Sequence, residues 1–285
     1  MTSRDADGWV RRMAQTSETG SGRRVRRMAE AAVLPSLGIA VVVAVLEVAP
    51  RVGALPRSSF PPPSEVFGVL ADMVPTAELW STIGHTLAAW ARAMAVAALV
   101  AIPLGLAIGA SRAGQLLSRL TIEFLRPIPS AALIPVLILV YGTRSSLTIA
   151  LGAFAASFPL LFQAMYGIVD VDPVALETGH VFRMGWVVRM RWIVLPSCAP
   201  YLATGLRISA SVALILVVTG EYLAGVPGLG QKVLAAQSGA AYDQMYAWIV
   251  VTGVVGLLVN LAFHAIERRY LSWHPSQPRR WEGGL

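Results

Sequence analysis

The chain has 285 residues, 55% of them hydrophobic and only 14% charged, with a mean hydropathy of +0.62. A soluble domain carries about 25% charged residues, so this composition excludes an ordinary soluble protein. One cysteine, Cys198, excludes an intrachain disulfide and a cysteine cage for a metal, and the net charge of +7 raises nucleic acid as a partner, which the distribution of that charge then argues against.

In chain order, residues 1–30 are polar and arginine-rich and read as a basic cytoplasmic tail. Residues 31–270 read as a membrane domain, and 271–285 as a second cytoplasmic tail. Six apolar stretches approach or exceed the roughly 17–25 residues that cross ~30 Å of hydrocarbon: 33–48, 82–110, 122–141, 146–168, 201–222 and 247–266. The first follows about 30 polar residues without a small-residue cleavage pattern and reads as an anchor, not a secretory leader. Helices satisfy their own backbone in lipid, and the ~10-residue alternation of a β-barrel is absent. The expected fold is therefore all-α and integral to the membrane, with six spans.

Between the first two spans, Pro61, Pro62 and Pro63 favour an extended stretch, and a short surface helix with Ser64 as N-cap is expected over 64–74. The second span contains Gly105-x3-Gly109, a spacing that either lets two helices approach closely or reflects ordinary span composition. Arg126-Pro127-Ile128-Pro129-Ser130, with Pro135 shortly after, predicts a break at the opening of the third span. Residues 224–243, with Gly225, Pro227, Gly228 and Gly230, read as a turn-rich external loop.

The arginines and the lysine sort by side. Seventeen lie in the two tails and the joints after the second and fourth spans, against four (Arg51, Arg57, Arg144, Lys232) in the other joints. The positive-inside rule then places both termini in the cytoplasm, so the charge reads as topology, with anionic lipid rather than nucleic acid as its neighbour.

The most informative segment is 170–200, DVDPVALETGHVFRMGWVVRMRWIVLPSCAP. It is far longer than a joint between spans needs. Asp172 and Pro173 make a good helix start, the carboxylate for orphan N–H groups and the proline for the first turn. Val174 to Phe182 then forms one short helix, Gly185 permits a break, and Trp186 to Val194 forms a second. Leu195-Pro196 ends it, and Pro200 opens the fifth span. Two readings stay open: a socket for a partner, or an amphipathic element floating at the headgroups.

Inside the membrane, Arg92 either snorkels or pairs within the bundle, or it offers a cation to an anionic solute. Arg207 is expected to snorkel. Glu221, near the external end of the fifth span, is a gate residue or a helix-end packing residue. Glu47 is expected at the headgroups. An intramembrane enzyme finds no support: there is no H-E-x-x-H, Lys232 lacks the P-loop spacing, and no aspartate lies within a predicted span.

The segment 170–200 resembles the EAA loop of ABC-importer permeases, E-A-A-x3-G-x9-I-x-L-P. Glu177 precedes Pro196 by nineteen positions, and Ile193, Leu195 and Pro196 fall in register. Thr178 and Gly179 replace the alanines. Arg183 stands where the motif has glycine, and Gly185 is expected to take over the turn. The likeness extends in order through Arg126-Pro127-Ile128-Pro129, Ala132 to Pro135, Pro200-Tyr201, Gly205 to Ile208, Glu221-Tyr222-Leu223, Gly228-Leu229-Gly230 and Glu267-Arg268-Arg269. Over roughly 30–275 the chain is similar to permeases of the nitrate/sulfonate/taurine importer family.

That resemblance implies a type I ABC importer permease fold working as a homodimer, with residues 170–196 received by a cytoplasmic ATPase. ATP and Mg would be bound by that partner, and this chain would hold no cofactor and perform no catalysis. An extracytoplasmic binding protein would deliver a small anion such as a sulfonate, taurine or nitrate. Asp172, Pro173, Glu177, Thr178, Gly179, Arg183, Gly185, Leu195 and Pro196 are the expected coupling residues. Arg92, Pro129, Pro135 and Glu221 are candidates for the translocation path. A permease for another small polar solute, such as a thiamine precursor or an amino acid, and a non-transport membrane scaffold are the alternatives.

Overall fold

A computed structural model describes residues 37–38, 40–125 and 128–270; the expected tails at 1–30 and 271–285, together with Arg126 and Pro127, lie outside the described residues. Every regular element among the described residues is helical. The chain divides into two compact units, one up to Gly68 and one from Val69 onward.

In the first unit, residues 40–51 are helical (α1), with the apolar side chains of Val41, Val42, Val45 and Val48 exposed as a lipid-facing helix requires. Helix α2 (Pro63–Met73) begins inside this unit, one residue earlier than expected, with Pro63 itself as its first residue. Ser64 is therefore not the N-cap. Its own backbone N–H donates to Glu47 Oε2 at 3.0 Å and its hydroxyl to Glu47 Oε1 at 2.7 Å. Glu47 thus takes up an orphan donor of the helix start instead of merely facing headgroups. Arg51 pairs with the same carboxylate, and Arg57 pairs with Glu65 at 2.6 Å.

The second unit is built on α3 (Ala77–Gly109), α6 (Ser145–Val169) and α9 (Leu195–Ala224). Thr76 caps α3: its hydroxyl oxygen accepts from Leu79 N–H. At 33 residues α3 is about 50 Å long, ample for a span. Gly105 and Gly109 make the close approach that their spacing allows. A Cβ on Gly105 would come within 2.6 Å of the Leu161 carbonyl oxygen, and one on Gly109 would overlap the Ile168 side chain. Small residues do the same between α6 and α9. Gly152 faces Val217 and Ala93, Gly167 faces Cys198 and Tyr201, and Gly205 faces Gln163. Dispersion packing of close backbones, not hydrophobic burial, holds helices together in lipid.

Between these helices Met94, Ala97, Ala101, Ala156, Leu160, Leu161, Ala210 and Ala213 form the central core. Two side-chain bonds cross it: Ser209 Oγ donates to the Ala156 carbonyl at 2.7 Å, and Trp90 Nε1 to the Ala210 carbonyl at 2.9 Å. Helix α11 (Tyr242–Tyr270) closes the series from outside, with Phe263 set edge-on to Trp90 at 6.1 Å. Its apolar window is 11% buried against 50% for α6, which puts α6 at the centre and α11 at the margin.

The third expected span, 122–141, is not one helix. Amphipathic α4 (Arg112–Leu125) ends before the prolines, a 3-10 turn covers Ser130–Leu133, and α5 (Ile134–Tyr141) is eight residues, about 12 Å. Pro129 is extended ahead of the turn, and Pro135 sits in the first turn of α5. There its missing N–H costs nothing. Gln115 Nε2 donates to the Gly109 carbonyl at 2.9 Å and so covers an orphan acceptor at the end of α3. Among the described residues, four helices are long and apolar enough to cross a membrane: α3, α6, the run containing α9, and α11. The loop expected over 224–243 contains a further helix, α10 (Leu229–Ser238), entered through Gly225 in the left-handed region at φ 65°.

Candidate functional site

The site grows from the end of α6. Val169 closes that helix, Asp170 follows, and Tyr201 on α9 donates its hydroxyl to Asp170 Oδ2 at 2.6 Å. The chain then turns into α7 (Pro173–Val181). Asp172 is its N-cap, accepting from Val174 N–H at 2.8 Å, and Pro173 opens it. Thr178 turns its hydroxyl back on the Val174 carbonyl at 2.7 Å, so it serves its own helix. Glu177 is exposed on this helix and free to meet another chain.

The turn after α7 differs from the expected one. Arg183 itself adopts the left-handed conformation, φ 50°, at the position where the motif carries glycine. Its N–H bonds the His180 carbonyl at 2.9 Å and the Met184 N–H bonds the Gly179 carbonyl at 2.9 Å. This pair of bonds is the Schellman closure, which normally uses glycine because a Cβ is unfavourable at positive φ. Gly185 does not take over the turn. It is extended (φ −60°, ψ 156°) and precedes α8 (Trp186–Arg189).

Leu195-Pro196 does not end the second short helix of the segment 170–196, a ledge at the end of the bundle, either. After α8 comes a wide π turn, Met190–Val194, in which Leu195 N–H reaches the Met190 carbonyl, and the helix then runs on through Pro196 and Pro200 as α9. A proline ring clashes with the carbonyl four residues back in a regular helix. The π turn widens the backbone just ahead of Pro196, a position where such bulges are found. Pro196 therefore falls within the first turn of α9. Trp186–Ala224 is one uninterrupted helical path of 39 residues.

The ledge folds back on itself. Gly179 is buried, and a Cβ there would meet Ile193 Cδ1 at 2.9 Å, so glycine at this motif position lets α7 lie on the π turn. Arg189 donates to His180 Nε2 at 2.6 Å across the two pieces. Val171, Val194 and Cys198 form a small core that joins the ledge to the bundle. A groove of about 230 Å³ runs beneath, lined by residues that include Ala110, Ile168, Leu176, Trp186 and Arg189. Several large apolar side chains of the ledge are exposed, Val181, Phe182, Trp186, Val187 and Trp192, and so are Arg183 and Arg191.

Of the four candidates for a translocation path, Arg92, Pro129 and Pro135 are exposed and Glu221 is buried. Arg92 lies in the middle of α3 on its exposed face, with no hydrogen bond or ion pair among the described residues. Pro129 and Pro135 flank the 3-10 turn. Glu221 is only 1% exposed and lies at the opposite end of the bundle from the ledge, here the far end. Arg207 does not snorkel alone; it pairs with Glu267 of α11 at 3.3 Å.

Sequence reasoning missed the partner of Glu221. Thr86 of α3, 135 positions away, donates its hydroxyl to Glu221 Oε2 at 3.0 Å. Two further cavities exist. One of about 590 Å³ at the far end is lined by residues that include Asp72, Glu78, Lys232 and Trp248. One of about 300 Å³ on the α6–α9 flank is lined by Phe158, Pro159, Phe162, Gln163, Tyr166 and Ile208. The i, i+4 aromatic spacing on α6 was a readable signal for the second.

The architecture is a bundle of close-packed helices with a structured ledge at one end. Its backbone matches a chain of the inward-facing MetNI methionine ABC transporter with a TM-score of 0.58 at 18% identity, over 70% of this chain and 97% of that one, which identifies the type I importer permease fold. Residues 101–272 match the family described as "Binding-protein-dependent transport system inner membrane component", and the chain belongs to that family. It is similar to the taurine transport system permease TauC of Escherichia coli, 29% identical over 219 residues, covering 75% of this chain and 80% of that protein. It is also similar to SsuC of Bacillus subtilis, named for aliphatic sulfonates transport, at 26% identity over 240 residues, 83% and 86% of the two chains. The chain is thus an inner-membrane permease subunit of an ABC importer, a class that works with an ATPase and a binding protein.

Proposed function

We propose that two copies of this chain form the path by which a small organic anion of the sulfonate or taurine kind enters the cell. Both termini of each copy lie in the cytoplasm. The ledge, residues 170–196, is then cytoplasmic and receives the ATPase, which binds the ATP and Mg. The far end, with α10, faces outward toward the binding protein.

The observation that carries this reading is the construction of the ledge. A capped helix, a Schellman turn and a return helix present exposed aromatic and basic side chains, and the return helix continues unbroken into the bundle. A floating interfacial helix needs no such link. A partner that changes shape with nucleotide can bias two arrangements of the bundle only through contacts that differ between them. The ledge supplies one such contact, with Glu177 and Arg183 on its surface.

The test is reconstitution in liposomes with the ATPase and binding protein of the same transport system, followed by ATP-dependent uptake of labelled taurine, an alkyl sulfonate, nitrate and methionine. Uptake of the sulfonates in preference to methionine is expected. A ledge carrying Glu177→Arg and Phe182→Asp, both at exposed positions, should stay folded and inserted yet fail to stimulate hydrolysis. Normal uptake by that variant would refute the coupling role, and selective methionine uptake would refute the solute class.

A further inference from the structure

We infer that Glu221 is the pin that fastens α10 to the ends of α3 and α9, so that α10 follows the helix that begins at the ledge. The geometry is a closed knot in the protein interior. Glu221 Oε2 accepts from Thr86 Oγ1 at 3.0 Å and from the Gly230 N–H at 3.0 Å. Thr86 Oγ1 in turn accepts from the Leu229 N–H at 2.9 Å. Both donated N–H groups belong to the first turn of α10, whose N–H groups have no partner within their own helix. No side chain of α10's own N-cap, Gly228, can supply one.

The neighbouring glycines are shaped around this carboxylate. A Cβ on Gly228 would overlap the Glu221 carboxyl group itself, and one on Gly230 would overlap the Val218 carbonyl and come within 2.6 Å of the Tyr222 nitrogen. Leu229 between them is fully buried against α3 and α11. The Gly-Leu-Gly sequence therefore lets the chain press onto α9 while two of its N–H groups reach Thr86 and Glu221. Exposed ties assist at the edges: Lys232 pairs with Glu78, and the Tyr222 hydroxyl donates to Gln237 at 2.5 Å.

A solute contact is the competing role for an acidic residue here, and the placement opposes it. Glu221 is 1% exposed and lines none of the three cavities described above. Its Oε1 is buried without a partner among the described residues, a costly arrangement that something must offset. The fastening of α10 is what the arrangement provides. Glu221 is thus a positioning residue, and what it positions is the outward-facing helix.

This inference rests on the importer reading, and its experiment has one limb that does not. Amide hydrogen exchange on the purified permease in nanodiscs reads Leu229 and Gly230 directly. Glu221→Ala and Gly228→Ala, which attack the pin from its two sides, should each speed exchange of both amides at least tenfold. Thr86→Val, which removes only the hydroxyl, should speed Leu229 at least threefold. In the full complex the Ala variants should keep basal ATP hydrolysis within twofold and lose stimulation by the solute-loaded binding protein. Glu221→Gln, which retains an acceptor oxygen, should keep at least half of that stimulation. Unchanged exchange in the Ala variants, full stimulation without the pin, or a Gln variant as defective as Ala would overturn the inference. Should wild-type complex show no stimulation at all, the importer reading fails while the exchange result still judges the pin.

Discussion

Arg183 offers a quantitative check on the ledge. Its φ of 50° places a residue with a Cβ where the Schellman turn prefers glycine. A left-handed residue with a Cβ costs about 1–2 kcal/mol. Glycine in its place removes that cost but frees the open chain by ~0.5–1 kcal/mol. The net gain for Arg183→Gly is ~0.5–1 kcal/mol, a factor of about 2–5 in the local opening equilibrium. Arg183→Ala loses the same charge and keeps the same backbone cost, so the difference between the two variants isolates the turn. The assay is exchange of the Met184 amide, bonded to the Gly179 carbonyl. The Gly variant should exchange about 2–5 times more slowly than the Ala variant. Equal rates, or slower exchange in Ala, would show that residue 183 is not held at positive φ and that the ledge turns elsewhere.

Other outcomes follow from the packing. Gly105→Val should separate α3 from α6 and cost about 1–3 kcal/mol or more, lowering the thermal midpoint in detergent, whereas Gly84→Ala, inside α3 with nothing within 4 Å of its Cβ, should not lower it. Asp172→Ala should weaken the start of α7 by ~1 kcal/mol, read as roughly fivefold faster exchange of the Val174 amide, which it now holds at 2.8 Å. Trp90→Phe removes the bond to the Ala210 carbonyl and should cost about 0.6 kcal/mol by thermal scanning, the average for side-chain bonds between membrane helices.

The long apolar runs and the ledge were legible because each leaves a local mark. A run of twenty apolar residues can only be a span or a buried helix, and Asp172-Pro173 announces a helix start by its own chemistry. Gly105-x3-Gly109 left two readings open, and the structure chooses close packing. Continuity through Pro196 was not legible, because a proline normally reads as a stop and only the π turn before it lets the helix pass. The left-handed turn was misassigned to Gly185, since glycine is the residue that adopts positive φ at least cost. Nothing local links Thr86 to Glu221, or Glu78 to Lys232 across 154 positions. Such pairs are products of the bundle's packing, and a single sequence carries no pattern for them. Likewise α10 hid behind Gly225, Pro227, Gly228 and Gly230, residues that signal turns even where a helix starts just after them.

The unbroken path Trp186–Ala224 has a mechanical corollary. A helical path of 39 residues spans about 58 Å, nearly twice the ~30 Å hydrocarbon layer, with the π turn and Pro200 as the points where it can bend. Tilting it by about 5° around its midpoint swings each tip by ~2.5 Å at that length, in opposite directions. To the extent that the path turns as one body, a displacement at the ledge end is returned at the α10 end with its sense reversed.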